Sequence, residues 1–201
     1  MMTINKRAEQ ILLILFRDIF IIHTATSLAK ILGMSRWGVW KILKELENNR
    51  LIMLNQMGGG KTSVHIVKLN FGSVILSVCL AFALSKESLK YERWKANFKE
   101  LAEHTEFLIL YGSILHSPKE ANDIDILGVI SDKGKFVKIN HIIDKAQKTQ
   151  AKKIHSLNFT PEEFMYEIKK SNKAFIDSVK KGVILYGQEK FVKFIMEIHK
   201  K

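Results

Sequence analysis

Three helical segments followed directly by two short alternating runs around a glycine tract restrict the fold of this chain more than any other feature. The first segment reads as a helix from Asn5 to Phe20 and the second as a helix from Thr26 to Leu32, stopped by Gly33. Met34 and Ser35 form a turn, and Ser35 is a favoured N-cap for a third helix reaching Asn48. Val39, Ile42, Leu43 and Leu46 recur there at helical spacing as one apolar stripe, while Trp37, Lys41, Lys44 and Asn48 fall on the opposite face. Leu51–Gln56 and Ser63–Leu69 then read as strands, joined through residues 57–62 and their glycines as a hairpin with a flexible tip.

The order helix, helix, glycine turn, helix, hairpin resembles the winged helix-turn-helix, and residues 35–47 resemble the recognition helices of bacterial and archaeal regulators in that family. The resemblance covers about Asn5 to Leu69 and implies binding to double-stranded DNA. A recognition helix enters the major groove by its N-terminal half, where backbone amides and basic side chains meet phosphates and base edges. Ser35, Arg36, Trp37, Lys41 and Lys44 are the contacts expected from the third helix, and Lys61 is the contact expected from the glycine-rich wing. The competing reading is an ordinary basic face turned to water.

Charge favours a polyanionic partner. Lysine and arginine number 32 against 20 acidic residues, a formal net charge of +12, and the pI is about 9.7. Residues 1–72 hold ten basic and four acidic residues, whereas residues 105–201 hold 17 and 12, so charge is denser in the first segment. With 47% hydrophobic and 26% charged residues, wholesale disorder is excluded. Cys79 is the only cysteine, which rules out an intramolecular disulfide and fits a reducing, cytoplasmic location. The apolar runs Ile11–Ile22 and Val74–Leu84 are too short to span a bilayer, so no membrane partner is expected.

From Gly72 to His104 the pattern is helical, apolar through Leu84 and then charged, as in a connector. Such a helix packs either between protomers or against its own domain, and both readings stay open. The last segment alternates: a strand over Glu106–Tyr111, a second from Asp123 to Ile130, a helix over Lys138–Lys152 and a third strand over Lys153–Phe159. Thr160, Pro161 and Glu163 then open a helix with a capping box and proline at its first position. Residues 182–187 read as a further short extended segment, before a terminal amphipathic helix. The expected architecture is α+β with two domains: a DNA-binding domain over residues 1–71, a helical connector over 72–104, and a small α/β domain with a mixed sheet over 105–201.

Leu110-Tyr111-Gly112-Ser113, nine residues, and then Asp123-Ile124-Asp125-Ile126 resembles the signature of the DNA polymerase β-like nucleotidyltransferase superfamily. The domain size resembles its minimal members. Residues two apart on a strand share a face, so Asp123 and Asp125 project together while Ile124 and Ile126 face the core. Paired carboxylates of this kind can hold Mg²⁺ against a nucleoside triphosphate. Gly112 permits close backbone approach, and the Ser113 amide and hydroxyl are placed for phosphate. The resemblance thus implies Asp123 and Asp125 as metal-holding, catalytic residues and Gly112 and Ser113 as nucleotide-binding residues.

Active members of that superfamily usually carry a third carboxylate on a later strand, and the strand Lys153–Phe159 contains none. His155 is the residue there with base chemistry, although a lone polar residue on a strand is more commonly the exposed side of a sheet. Lys145, Lys148 and Lys152 read as one helical face, more simply solvated than phosphate-binding. The histidines show no close pairing with the cysteine or with one another, so no structural zinc site is implied. Two functions remain. The first is a DNA-binding transcriptional regulator, expected as a homodimer, whose second domain binds nucleotide and metal or a protein partner. The alternative is an active Mg²⁺-dependent nucleotidyltransferase, including the antitoxin type, targeted by its winged helix. The missing third acid favours the first.

Overall fold

The computed structural model describes residues 4–18, 20–59, 63–170 and 172–200, with residues 199 and 200 described in their backbone alone. It is a mixed α/β structure with two sheets. The chain divides into two compact units between Ala83 and Leu84, inside the segment read as a connector.

The first unit begins with α1 (Lys6–Arg17), capped by the Asn5 side chain accepting from the Ala8 amide. The helix expected to reach Phe20 stops three residues early for a physical reason. Asp18 turns inward and pairs with His23, with 2.7 Å between Oδ2 and Nε2, and both are buried. That pairing needs a bend, and a two-residue strand β1 (His23–Thr24) follows it. Thr24 and Ser27 then form a reciprocal capping box for α2 (Ala25–Leu32). Gly33 ends α2 at φ +61°, the left-handed conformation that glycine adopts without strain.

Ser35 caps α3 (Arg36–Asn48) by accepting from the Gly38 amide at 3.0 Å. The hairpin strands β2 (Ile52–Met57) and β3 (Val64–Leu69) pair antiparallel from Ile52 opposite Leu69 to Met57 opposite Val64. β1 adds to the far side of β3, giving the order β1-β3-β2. Ile11, Phe16, Leu28, Val39, Leu43, Leu46 and Val67 are buried in this unit.

The division falls within α4 (Val74–Ser88). Leu76, Leu80, Ala83 and Leu84 of this helix are buried, and Val74, Ile75, Val78 and Phe82 are exposed. A 3-10 turn, α5 (Glu92–Asn97) and a second 3-10 segment over Lys99–Glu103 complete the helical stretch.

The second unit is built on a four-stranded mixed sheet of order β6-β5-β4-β7, formed by β4 (Phe107–Tyr111), β5 (Asp123–Val129), β6 (Lys153–Phe159) and β7 (Val183–Tyr186). β4 runs antiparallel to β5 and β7, while β5 and β6 are parallel and joined through α6 (Phe136–Gln147). Alternation along the strands makes two apolar faces. Leu108, Leu110, Ile124, Ile126 and Ile154 pack with Trp94, Phe98, Ile139 and Ile143. Phe107, on the opposite parity, meets Phe164, Phe191 and Phe194 edge-on or tilted. These phenyl rings come from α7 (Pro161–Lys169) and α9 (Gln188–Lys200), and Phe175 of α8 (Lys173–Lys181) joins them.

The helix expected over Lys138–Lys152 is shorter because Gln147 turns the chain. Its Nε2 donates to the Gln150 and Lys152 carbonyls, and its Oε1 accepts from the Ile154 amide at the start of β6. The lysine face read from Lys145, Lys148 and Lys152 therefore does not form. Only Lys145 is helical; it pairs with Glu100 at 2.6 Å, and Lys152 donates to the Lys119 and Ala121 carbonyls. Thr160 and Glu163 form the capping box expected at the start of α7. Among the described residues, no helix is long and apolar enough to cross a membrane.

Candidate functional site

Asp123 and Asp125 lie at the N-terminal end of β5, on the same sheet face as Leu127 and Val129 further along. The apolar side chains near the far end of this face are covered by phenyl rings, but the near end stays accessible, so both carboxylates are only partly exposed. Parallel pairing places Asp123 opposite Lys153, Asp125 opposite His155 and Leu127 opposite Leu157. His155 thus shares the face of the two acids. Its Nδ1 is 3.3 Å from Asp123 Oδ2 and 3.6 Å from Asp125 Oδ1.

One ligand atom from each of the three lies within 4.8 Å of the others, a donor set of two carboxylates and one imidazole able to hold a cation. Burial, and then the neighbouring Asp123 charge, push the Asp125 carboxyl above its ordinary range, while His155 pulls the other way. A cation placed among these groups would relieve the same repulsion. The residues therefore fit a divalent metal, with an imidazole that Mg²⁺ alone does not call for.

Gly112 ends β4 and shows why this position takes glycine. It adopts φ +83°, and a Cβ there would collide with Asp125 Oδ2. The backbone thus passes directly against the carboxylate, and the exposed Ser113 follows as the first residue of a 3-10 turn over Ser113–Leu115. Tyr111 lies directly across from Asp125. Burial and then the two aspartates, Asp125 first, raise its phenol pKa, which keeps the hydroxyl protonated as a donor at neutral pH.

In the first unit, α3 buries Val39, Leu43 and Leu46 and leaves Ser35, Arg36, Trp37, Lys41 and Lys44 exposed. Trp37 is 65% exposed, unusual for an indole. Lys41 Nζ lies 5.5 Å from the Trp37 ring centroid, and Lys44 Nζ lies 5.1 Å from that of Trp40. Lys44 is also paired to Glu47 at 2.8 Å, which neutralises part of its charge. Trp40 meets His65 of β3 edge-on at 5.1 Å, so Arg36, Trp37, Trp40, Ser63 and His65 line a shallow groove between helix and hairpin. Lys61, expected at the wing tip, lies outside the described residues.

Sequence reasoning placed Asp123, Asp125, Gly112 and Ser113 in one neighbourhood but set His155 aside and gave Tyr111, Trp40 and His65 no role. The signal for Trp40 and His65 was one aromatic on α3 and one imidazole on the following strand, which only the hairpin register brings together.

No family model matches the chain, and no curated protein matches it. Two solved structures are partly similar, both of mutant forms of ZitR from Lactococcus lactis. One is 20% identical with a TM-score of 0.33, covering 50% of this chain and 62% of the other. The second is 17% identical with a TM-score of 0.34, covering 75% and 78%. The chain thus spans less than two thirds of the first of these, and scores this low define neither its fold nor its chemistry.

Proposed function

We propose that this chain is a DNA-binding transcriptional regulator: its first unit reads duplex DNA as a winged helix-turn-helix, and its second is a nucleotidyltransferase-like module that binds a nucleotide with a divalent cation. The carrying observation is the division of α3 into a buried stripe of Val39, Leu43 and Leu46 and an exposed stripe of Arg36, Trp37 and Lys41. Packing accounts for the first stripe and leaves an exposed indole and two exposed cations to be explained. In this reading α3 enters the major groove, the β2–β3 hairpin lies along the neighbouring backbone, and Lys61 is a further proposed DNA contact. The exposed apolar row on α4, Val74, Ile75, Val78 and Phe82, supports a homodimer contact, the form in which such helices meet paired half-sites.

In the second unit Gly112 and Ser113 would take the phosphates and Asp123 and Asp125 the cation, with His155 beside them. When bound, the cation neutralises charge between triphosphate oxygens and the two carboxylates. The alternative, an active Mg²⁺-dependent nucleotidyltransferase, draws on the approach of Gly112 to the Asp125 carboxylate, since phosphoryl-type transfer depends chiefly on positioning and charge neutralisation.

Two assays decide between them. Duplex fragments at low salt should shift with the wild-type chain, and no shift with any fragment would end the regulator reading. Incubation with Mg²⁺, labelled triphosphates and candidate acceptors should leave no label on any acceptor. Transfer abolished in Asp123→Ala plus Asp125→Ala would instead establish the enzyme.

A further inference from the structure

We infer that Asp123, Asp125 and His155 form one three-ligand site that selects a divalent first-row transition ion over Mg²⁺, with His155 as the residue that sets the selectivity. The inference rests on the metal-binding reading of Asp123 and Asp125 and changes which ion that site takes.

Three observations carry it. The first is topological: β5 and β6 are parallel neighbours in register, so the Asp125–His155 pairing is fixed by the backbone ladder and does not depend on a flexible loop. The second is chemical. Mg²⁺ is a hard ion that takes oxygen donors, whereas an imidazole nitrogen suits Zn²⁺, Co²⁺, Fe²⁺ and Ni²⁺. A His in place of a third oxygen ligand therefore shifts preference along the transition series. The third is metric: the imidazole nitrogen stands 3.3 and 3.6 Å from the two carboxylate oxygens, and one ligand atom from each of the three residues lies within 4.8 Å of the others, a span that a single ion can bridge. Three protein ligands leave at least one position open to solvent or to a phosphate oxygen, as in catalytic rather than structural metal sites. Partial exposure of Asp123 and Asp125 and exposure of His155 supply the entry path.

The experiment is calorimetric titration of the full chain, stripped with chelator, with Zn²⁺ and separately with Mg²⁺, and with Co²⁺ as a spectroscopic probe. Wild type, His155→Ala, His155→Asp and Asp123→Asn plus Asp125→Asn are compared; all three substituted positions are at least partly exposed, so folding should survive, and far-ultraviolet circular dichroism checks it. Wild type is expected to bind Zn²⁺ at least about tenfold more tightly than Mg²⁺. Co²⁺ should give the intense visible bands of a low-coordinate site. His155→Ala should weaken Zn²⁺ binding by at least about tenfold and leave Mg²⁺ within about twofold. His155→Asp should narrow the Zn²⁺-over-Mg²⁺ ratio by at least about tenfold. If the carboxylate double variant lowers metal binding while His155→Ala does not, the selectivity inference is overturned and the metal reading of the two aspartates survives. Should the double variant bind every ion as wild type does, both are overturned, because the histidines elsewhere then account for the binding.

Discussion

Asp125 of β5 and His155 of β6 are register partners on parallel strands, with 3.6 Å between carboxylate oxygen and imidazole nitrogen. Around this pair the sheet changes character, from a phenyl-covered hydrophobic face at one end to a cluster of ionisable groups at the other.

Such a cluster is electrostatically costly without a cation. Burial and the Asp123 charge both disfavour the ionised Asp125. In chelator, Asp125→Asn is expected to raise the stability of the second unit by up to about 1 kcal/mol, because a neutral isostere escapes the repulsion. With saturating metal the order should invert, since wild type then gains binding energy that the variant lacks. Urea denaturation under both conditions reads the two signs; a variant less stable than wild type in chelator would count against a strained site.

The buried Asp18–His23 pair stitches the end of α1 to β1 at 2.7 Å. Removing one member breaks a buried 2.7 Å hydrogen bond, a loss of about 1–3 kcal/mol. His23→Ala should therefore lower the urea midpoint of the first unit steeply and weaken DNA binding with it, whereas metal binding by the second unit should be retained.

Glu47 of α3 accepts from the Leu54 amide of β2 at 3.2 Å and so holds helix to hairpin. Its carboxyl lies below the ordinary glutamate range, first through the hydrogen bond from Lys44 and further through the Lys44 charge and the Leu54 amide. A carboxylate depressed in the folded state adds stability above its unfolded pKa and loses it as pH falls through the folded value. Glu47→Gln should thus cost no more than about 0.5 kcal/mol near neutrality, because the pair is largely exposed, and nothing measurable at about pH 3. Chemical denaturation at both pH values checks this.

Much of this was legible in local sequence. The helix, turn, helix and hairpin of the first unit follow from a periodicity that changes from helical to alternating at Asn49–Leu51, and from the Ser35 and Thr160 caps, which act within a single turn. β1 was missed because two residues carry no period, and its existence depends on the nonlocal pairing with β3. Asp123 and Asp125 were readable because a strand alternates locally. His155 was not, for its relation to Asp125 is made by a parallel register through the α6 crossover, with thirty positions of sequence between them. The strand over residues 153–159 holds no carboxylate in its sequence, and the place of His155 beside the two aspartates could be weighed only once the sheet was known.

Recognition of duplex DNA through α3 is read out by fluorescence anisotropy of a labelled genomic duplex across a salt series, comparing wild type with Arg36→Ala plus Lys41→Ala. Counterion release makes the logarithm of affinity fall linearly with the logarithm of salt, and each lost phosphate contact reduces the slope by about 0.9. The double variant is expected to bind at least about tenfold more weakly at low salt and with a slope shallower by about 1–2. Equal affinity and equal slope for the two proteins would contradict it, placing the DNA contact elsewhere in the chain or nowhere.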